Sequence, residues 1–130
     1  MGGEMKDKAY YDSMVNDIIN CAYAVDRKLG SGFLEKIYEK AIVIELSDFG
    51  LKVDIQKPIK VNYNGQIIGD FIADIIVEDE IILELKAVKK LEAIHFAQCL
   101  NYLKATGMKL GLVINFGGDA VKVKRIANGF

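Results

Sequence analysis

Apolar residues recur along this chain with two different periods. In the first third, Val15, Ile18, Ile19, Ala22, Val25 and Leu29 return every three or four residues, which predicts a helix over about Lys8 to Leu29 with one face turned inward. Gly30-Ser31-Gly32 breaks that pattern, because glycine disfavours continuation and Ser31 can cap the next helix. A second helix is predicted over about Phe33 to Asp48. Its apolar residues Phe33, Leu34, Ile37, Ala41, Ile42, Val43, Ile44 and Leu46 run almost all round it, so it is expected to be largely buried. Gly50 then suits a left-handed terminating residue.

Beyond Gly50 the period drops to two. Leu51 to Ile55 alternates, Pro58 suggests an edge or a strand start, and Ile59 to Tyr63 alternates again. Asn64-Gly65 is the strongest hairpin signal in the chain. A long strand is predicted over Gln66 to Val77, an acidic turn at Glu78-Asp79-Glu80, and a strand from Ile81 to Ala87. A third helix is predicted over about Leu91 to Ala105 and stops at Thr106-Gly107. Lys109 to Asn115 has the apolar run of a buried strand, and Gly117-Gly118 turns the chain into a last strand, Ala120 to Arg125. The order αα-ββββ-α-ββ, without linker or repeat, predicts a single α/β domain over residues 1–130 with a mixed central sheet flanked by helices.

Composition narrows the class. With 130 residues, 52% of them hydrophobic, and a net charge of −1, the chain is not expected to be disordered. No apolar run reaches the roughly 18 residues of a membrane helix. The stretch Met1 to Asp7 lacks the apolar segment of a signal peptide, so a cytoplasmic protein without membrane attachment is expected. Cys21 and Cys99 lie in apolar helical patterns and suit buried, reduced thiols. One histidine and two distant cysteines do not supply the four ligands of a structural zinc site. The near-zero charge hides an asymmetry. Residues 1–85 hold 9 basic and 16 acidic side chains, whereas residues 86–130 hold 8 basic against Glu92 and Asp119. Such separation fits a carboxylate-lined site beside a basic rim, and equally ordinary solvated faces that happen to segregate.

Three polar residues interrupt apolar strands: Asp74, Glu84 and Lys86. Glu84 and Lys86 share a strand face by alternation. Asp74 joins them only if the acidic turn holds three residues, pairing Val77 with Ile81; a two-residue turn would oppose Asp74 to Leu85 on the wrong face. Two carboxylates across adjacent strands repel unless a proton or cation lies between them. A hard ion such as Mg²⁺ suits all-oxygen ligands, can acidify a bound water and can stabilise charge on a phosphoryl group. Lys86 would stand beside it, orienting the water or neutralising phosphate oxygens. Taken as a bare pattern, Glu-x-Lys on a strand is also what a solvated face with a surface ion pair looks like.

The segment Gly32-Phe-Leu-Glu35-Lys-Ile-Tyr38 matches the signature of the GxxExxY proteins. Asp74, Glu84-Leu85-Lys86, Asn101 to Gly107 and Gly111 to Gly117 resemble the rest of that family's pattern, in order and spacing, over about residues 10–118. The family is grouped with the PD-(D/E)xK nuclease superfamily. The resemblance implies a restriction-endonuclease-like core, with Asp74 as motif aspartate, Glu84 as motif acid and Lys86 as motif lysine. It also implies Glu35 as an added metal-side carboxylate, although a carboxylate in a first helical turn is favoured there by the helix dipole alone. Tyr38 suits a packing aromatic. Gln98 and Tyr102 reproduce a Q-x-x-x-Y element of related nucleases. With His95 they lie within about 60° on one helix face, where His95 better suits a bond to backbone than ligation.

The position before the motif aspartate is Ala73 rather than proline. A pI near 5.8 argues against a tight grip on duplex nucleic acid, partly offset by Lys89, Lys90 and Lys104, close in sequence to the site. The leading expectation is a nuclease dependent on Mg²⁺ or Mn²⁺ and acting on DNA or RNA, with metal ligands Glu35, Asp74 and Glu84 and further site residues Lys86, Gln98 and Tyr102. The alternatives are a non-catalytic nuclease-fold module that binds nucleic acid or a protein, and a homo-oligomer formed through the second helix or the Gly117–Phe130 hairpin.

Overall fold

In the computed structural model, which describes residues 6–129, three helices enclose a five-stranded sheet. The opening stretch Met1 to Met5, scanned above for a leader, and Phe130 lie outside the described residues. Helix α1 spans Lys8–Leu29 and is capped by the Asp7 carboxylate, which accepts from Tyr10 N at 3.1 Å. Its buried stripe, from Tyr11 through Met14, Val15, Ile18 and Ala22 to Val25, is the predicted face. Helix α2 spans Glu35–Phe49 and begins two residues later than its apolar pattern suggests.

Burial of α2 corrects the sequence expectation. Only Tyr38, Glu39, Ile42 and Leu46 are buried, while Leu34, Ile37, Ile44 and Phe49 are exposed, Leu34 at 80%. Apolar periodicity shows which faces could pack, but α2 is an outer helix with α1 and the sheet on one side only.

The strands are β1 (Val53–Tyr63), β2 (Gln66–Val77), β3 (Ile81–Lys86), β4 (Leu110–Asn115) and β5 (Lys122–Ala127), arranged β1-β2-β3-β4-β5. Helix α3, Ala93–Thr106, carries the chain from β3 to its parallel neighbour β4, and all other pairs are antiparallel. The order is therefore αα-βββ-α-ββ, one strand fewer than predicted before α3. The two short alternating runs flanking Pro58 are one continuous strand. Proline lacks a donor, but β1 is an edge strand with a single neighbour, so that missing N–H breaks no ladder on the open side. Asn64 and Gly65, with φ of 50° and 79°, form the expected turn between β1 and β2.

The sheet separates two cores. Ile75, Val77, Ile81, Leu83, Leu85, Leu112 and Ile114 pack on α1 and α2, whereas Ile76, Ile82, Val113 and Ile126 pack with Cys99 and Leu103 of α3. Along β2, residues 75 and 77 face the first core, yet Ala73 and Phe71, of the same parity, pack with the second. Along β1, Val53 packs with the first core and Ile59 with the second. Both strands therefore exchange faces at one level, between residues 53 and 59 of β1 and between 73 and 75 of β2. Gln56 of β1, at φ 51°, lies at this level. The distal hairpin thus turns onto α3, and Asp74 occupies the crossover.

Candidate active site

Val77 pairs with Ile81, Ile76 with Ile82 and Ile75 with Leu83. The acidic turn therefore holds three residues, with Glu78 and Asp79 both left-handed at φ 53° and 57°. The same register sets Asp74 against Glu84, as the three-residue alternative requires. Regular pairing stops before that position. Instead Asp74 N donates to Glu84 Oε2 at 3.2 Å, and Leu85 N donates to Asp74 Oδ2 at 3.0 Å. The two carboxylates take the place of backbone carbonyls, so β2 and β3 part where the acidic side chains meet.

Glu84 is only 7% exposed. Burial, and then the negative charge of Asp74, push its carboxyl up to about 8; the Asp74 amide and Lys86 act in the opposite direction. Glu35, exposed overall in the first turn of α2, is held above the ordinary carboxylate range by local burial and by Asp74, against the pull of Lys86. Glu35 and Asp74, distant in the chain from each other, are thus electrostatic neighbours of each other and of the Glu84–Lys86 segment. Tyr102 joins them from α3: its phenol is raised by burial and then by Glu84 and Asp74, and its ring stacks on Phe71 at 3.9 Å.

The other predicted residues fall differently. Gln98 is exposed on α3. His95 is a capping residue, its Nδ1 accepting from Glu92 N at 2.9 Å in a capping box. Tyr38 is fully buried; its hydroxyl donates to Gly30 O at 2.7 Å and accepts from Phe33 N at 3.2 Å, and its ring stacks on Phe116. It fixes the turn that delivers Glu35. Cys21 and Cys99 are buried free thiols.

Glu39 went unnoticed in the sequence. It is 6% exposed, and its Oε1 accepts from Gln56 Nε2 at 2.8 Å and Lys36 Nζ at 3.3 Å. This contact anchors left-handed Gln56, which lies across β1–β2 at the level of Asp74. The signal in the sequence was its position four residues after Glu35, on the same helix face.

No group of three or more His, Cys, Asp and Glu side chains stands close enough together to hold a metal among the described residues. The donor chemistry of Asp74 and Glu84 nevertheless fits a hard divalent cation. Both offer oxygen, and the repulsion from Asp74, which adds to burial in lifting Glu84, is what a cation between them would relieve.

A protein-family model described as the PD-(D/E)XK nuclease superfamily matches residues 12–126. The solved structure described as "Crystal structure of SSO0001" superposes with a TM-score of 0.57 at 18% sequence identity. The match covers 94% of this chain and 61% of that one, so the chain spans less than two thirds of that protein's length. The curated proteins include no match.

Proposed function

The chain belongs to the PD-(D/E)XK nuclease superfamily, and from that membership we propose that it is a metal-dependent nuclease hydrolysing phosphodiester bonds of DNA or RNA, of the GxxExxY kind. One observation carries this reading: Asp74 and Glu84 meet where the β2–β3 ladder opens, with Lys86 on the same face. Mg²⁺ or Mn²⁺, held by Asp74 and Glu84 with Glu35 at the rim, would supply a more acidic water and counter-charge for the phosphoryl group.

The chain's own groups supply the rest. Asp74 and Glu84 hold each other through the Asp74 and Leu85 amides, which presets the spacing of two acidic oxygens. Lys86 directs its ammonium toward the phosphate, where it orients the attacking water and offsets charge gathering on the non-bridging oxygens. Tyr102, braced by Phe71, offers a hydroxyl on the α3 side, and Gln98 one turn earlier faces solvent where substrate enters. The test is a Mn²⁺-dependent cleavage screen over single- and double-stranded DNA and RNA, with Glu84→Ala as control. Metal-dependent cleavage that disappears in the variant is expected; no cleavage by either protein would overturn the enzyme reading.

A second reading, a non-catalytic nuclease-fold module bound to a protein partner, is favoured by the apolar side chains left uncovered on the β1–β2 hairpin: Ile55, Tyr63, Ile67, Ile68 and Ile72. Absence of cleavage, together with metal-independent binding of nucleic acid or protein, would select it.

A further inference from the structure

Further along the sheet from the carboxylates lies a separate basic cavity. It measures about 360 Å³ and is lined by Lys89 and Lys90 from the β3–α3 connection, Lys122 of β5, Asn115 of β4, and Gly118 and Asp119 of the β4–β5 turn. Lys86 pairs with Asn115 and Asn115 with Lys122, so these three occupy one row across β3, β4 and β5. Directly opposed residues share a face. That face is the one α3 covers, because Lys124, two residues beyond Lys122, places its ammonium 5.7 Å from the centre of the Phe96 ring. The cavity therefore continues the line of the candidate site, with Lys122 two strands, or roughly 10 Å, from Lys86.

The cavity wall is built rigidly. Asn115 is 1% exposed and uses both ends of its amide in one clamp: Oδ1 accepts from Val88 N at 3.0 Å and Gly117 N at 3.1 Å, and Nδ2 donates to Val88 O at 2.8 Å. Gly117 lies so close to Val88 that a Cβ there would come within 2.4 Å of its backbone N and O. The Val88–Lys90 segment is thereby pinned against the β4–β5 turn, so that Lys89 and Lys90 border the same space as Lys122 at the start of β5. Among the described residues, none of Lys89, Lys90 and Lys122 is engaged in an ion pair. The single carboxylate of the lining, Asp119, is exposed and leaves the cavity cationic.

We infer that this cavity is a phosphate subsite, in which Lys89, Lys90 and Lys122 hold a phosphate of the nucleic-acid strand whose neighbouring phosphodiester lies at Asp74, Glu84 and Lys86. This rests on the nuclease reading above and adds to it a direction: the strand runs across β3, β4 and β5 rather than along them. Cationic side chains on a fixed frame bind phosphate as point charges, and each such pairing releases counterions from the nucleic acid.

The test is fluorescence anisotropy of short single-stranded oligonucleotides, in chelator so that none is cleaved, over a series of salt concentrations. The double variant Lys89→Ala/Lys122→Ala is compared with wild type and with Lys8→Ala/Lys28→Ala, whose lysines pair with Asp12 and Glu45 elsewhere. The cavity lysines are exposed, so the variants are expected to keep the wild-type circular dichroism. At low salt the cavity variant should bind roughly tenfold more weakly, and its log K against log salt slope should shrink by about 0.7 for each phosphate no longer neutralised. The control should match wild type. Oligonucleotides with and without a 5′-phosphate separate the sources: an equal weakening assigns an internal phosphodiester, a weakening confined to the phosphorylated strand a terminal one. Wild-type affinity and slope in the cavity variant, with Mn²⁺-dependent cleavage intact, would overturn the subsite and leave the nuclease reading standing. Failure of wild type both to bind and to cleave would overturn both.

Discussion

Glu84 is the residue on which charge, packing and chemistry converge. Its carboxyl, ordinarily near 4.5, is lifted to about 8 by burial and by Asp74. The folded protein therefore holds this proton more tightly than the unfolded chain does. The associated stability is complete below about pH 4.5 and is lost as the pH rises through about 8. In chelator, wild type should lose up to about 1.4 kcal/mol per pH unit across that window relative to Glu84→Gln, whose curve should be flatter. Urea unfolding at several pH values reads this directly, and parallel curves would contradict it. The sequence reduced the pairing of Asp74 with Glu84 to the length of one acidic turn, and the structure decides it at three residues. The burial of Glu39 and the left-handed Gln56 were not, since both depend on a contact between α2 and β1 that neither local pattern contains.

Among the elements, two junctions position the site. The first is the α1–α2 turn, locked by the Tyr38 hydroxyl. Tyr38→Phe removes both bonds and leaves Phe33 N and Gly30 O to find other partners, a cost of about 1–3 kcal/mol. A fall in the urea midpoint with unchanged slope is the expected result. The second is the β4–β5 turn under Val88. Gly117→Ala would force the Val88 segment away, costing about 1–3 kcal/mol as overpacking does, and should weaken oligonucleotide binding along with stability. Element types and most boundaries follow from periodicity. What periodicity misses is tertiary: that Pro58 sits inside an edge strand, and that α2 packs on one side only, leaving Ile37 and Ile44 exposed.

At the scale of the whole molecule, the sheet is a layer with helices on both sides, and Glu84 and Lys86 lie at one end of β3. No helix of the described residues is long and apolar enough to cross a membrane. If a divalent cation settles between Asp74 and Glu84, it binds the folded state alone, because the unfolded chain does not bring the two together. Mn²⁺ at a hundred times its dissociation constant should then add about 2.7 kcal/mol. Thermal unfolding should show a rise in Tm for wild type and little or none for Asp74→Asn; equal shifts in both would place the ion elsewhere. The charge asymmetry of the chain has a spatial counterpart: Lys86, Lys89, Lys90 and Lys122 all come from the basic last third, Lys86 on the strand that carries Glu84 and the other three around the neighbouring cavity.

The face exchange at Gln56 and Asp74 makes the distal hairpin an arm whose length is decoupled from the aim of the carboxylates. Asp74 takes its direction from the pairing of Ile75–Val77 with Ile81–Leu83, on the near side of the crossover. A matched residue added to each strand near Asn64-Gly65 would lengthen the arm and leave that register untouched. The same addition between Ile75 and Val77 would invert Asp74. Variation in the length of this arm can therefore accumulate at the hairpin tip, while the few residues between the crossover and the acidic turn stay fixed in number.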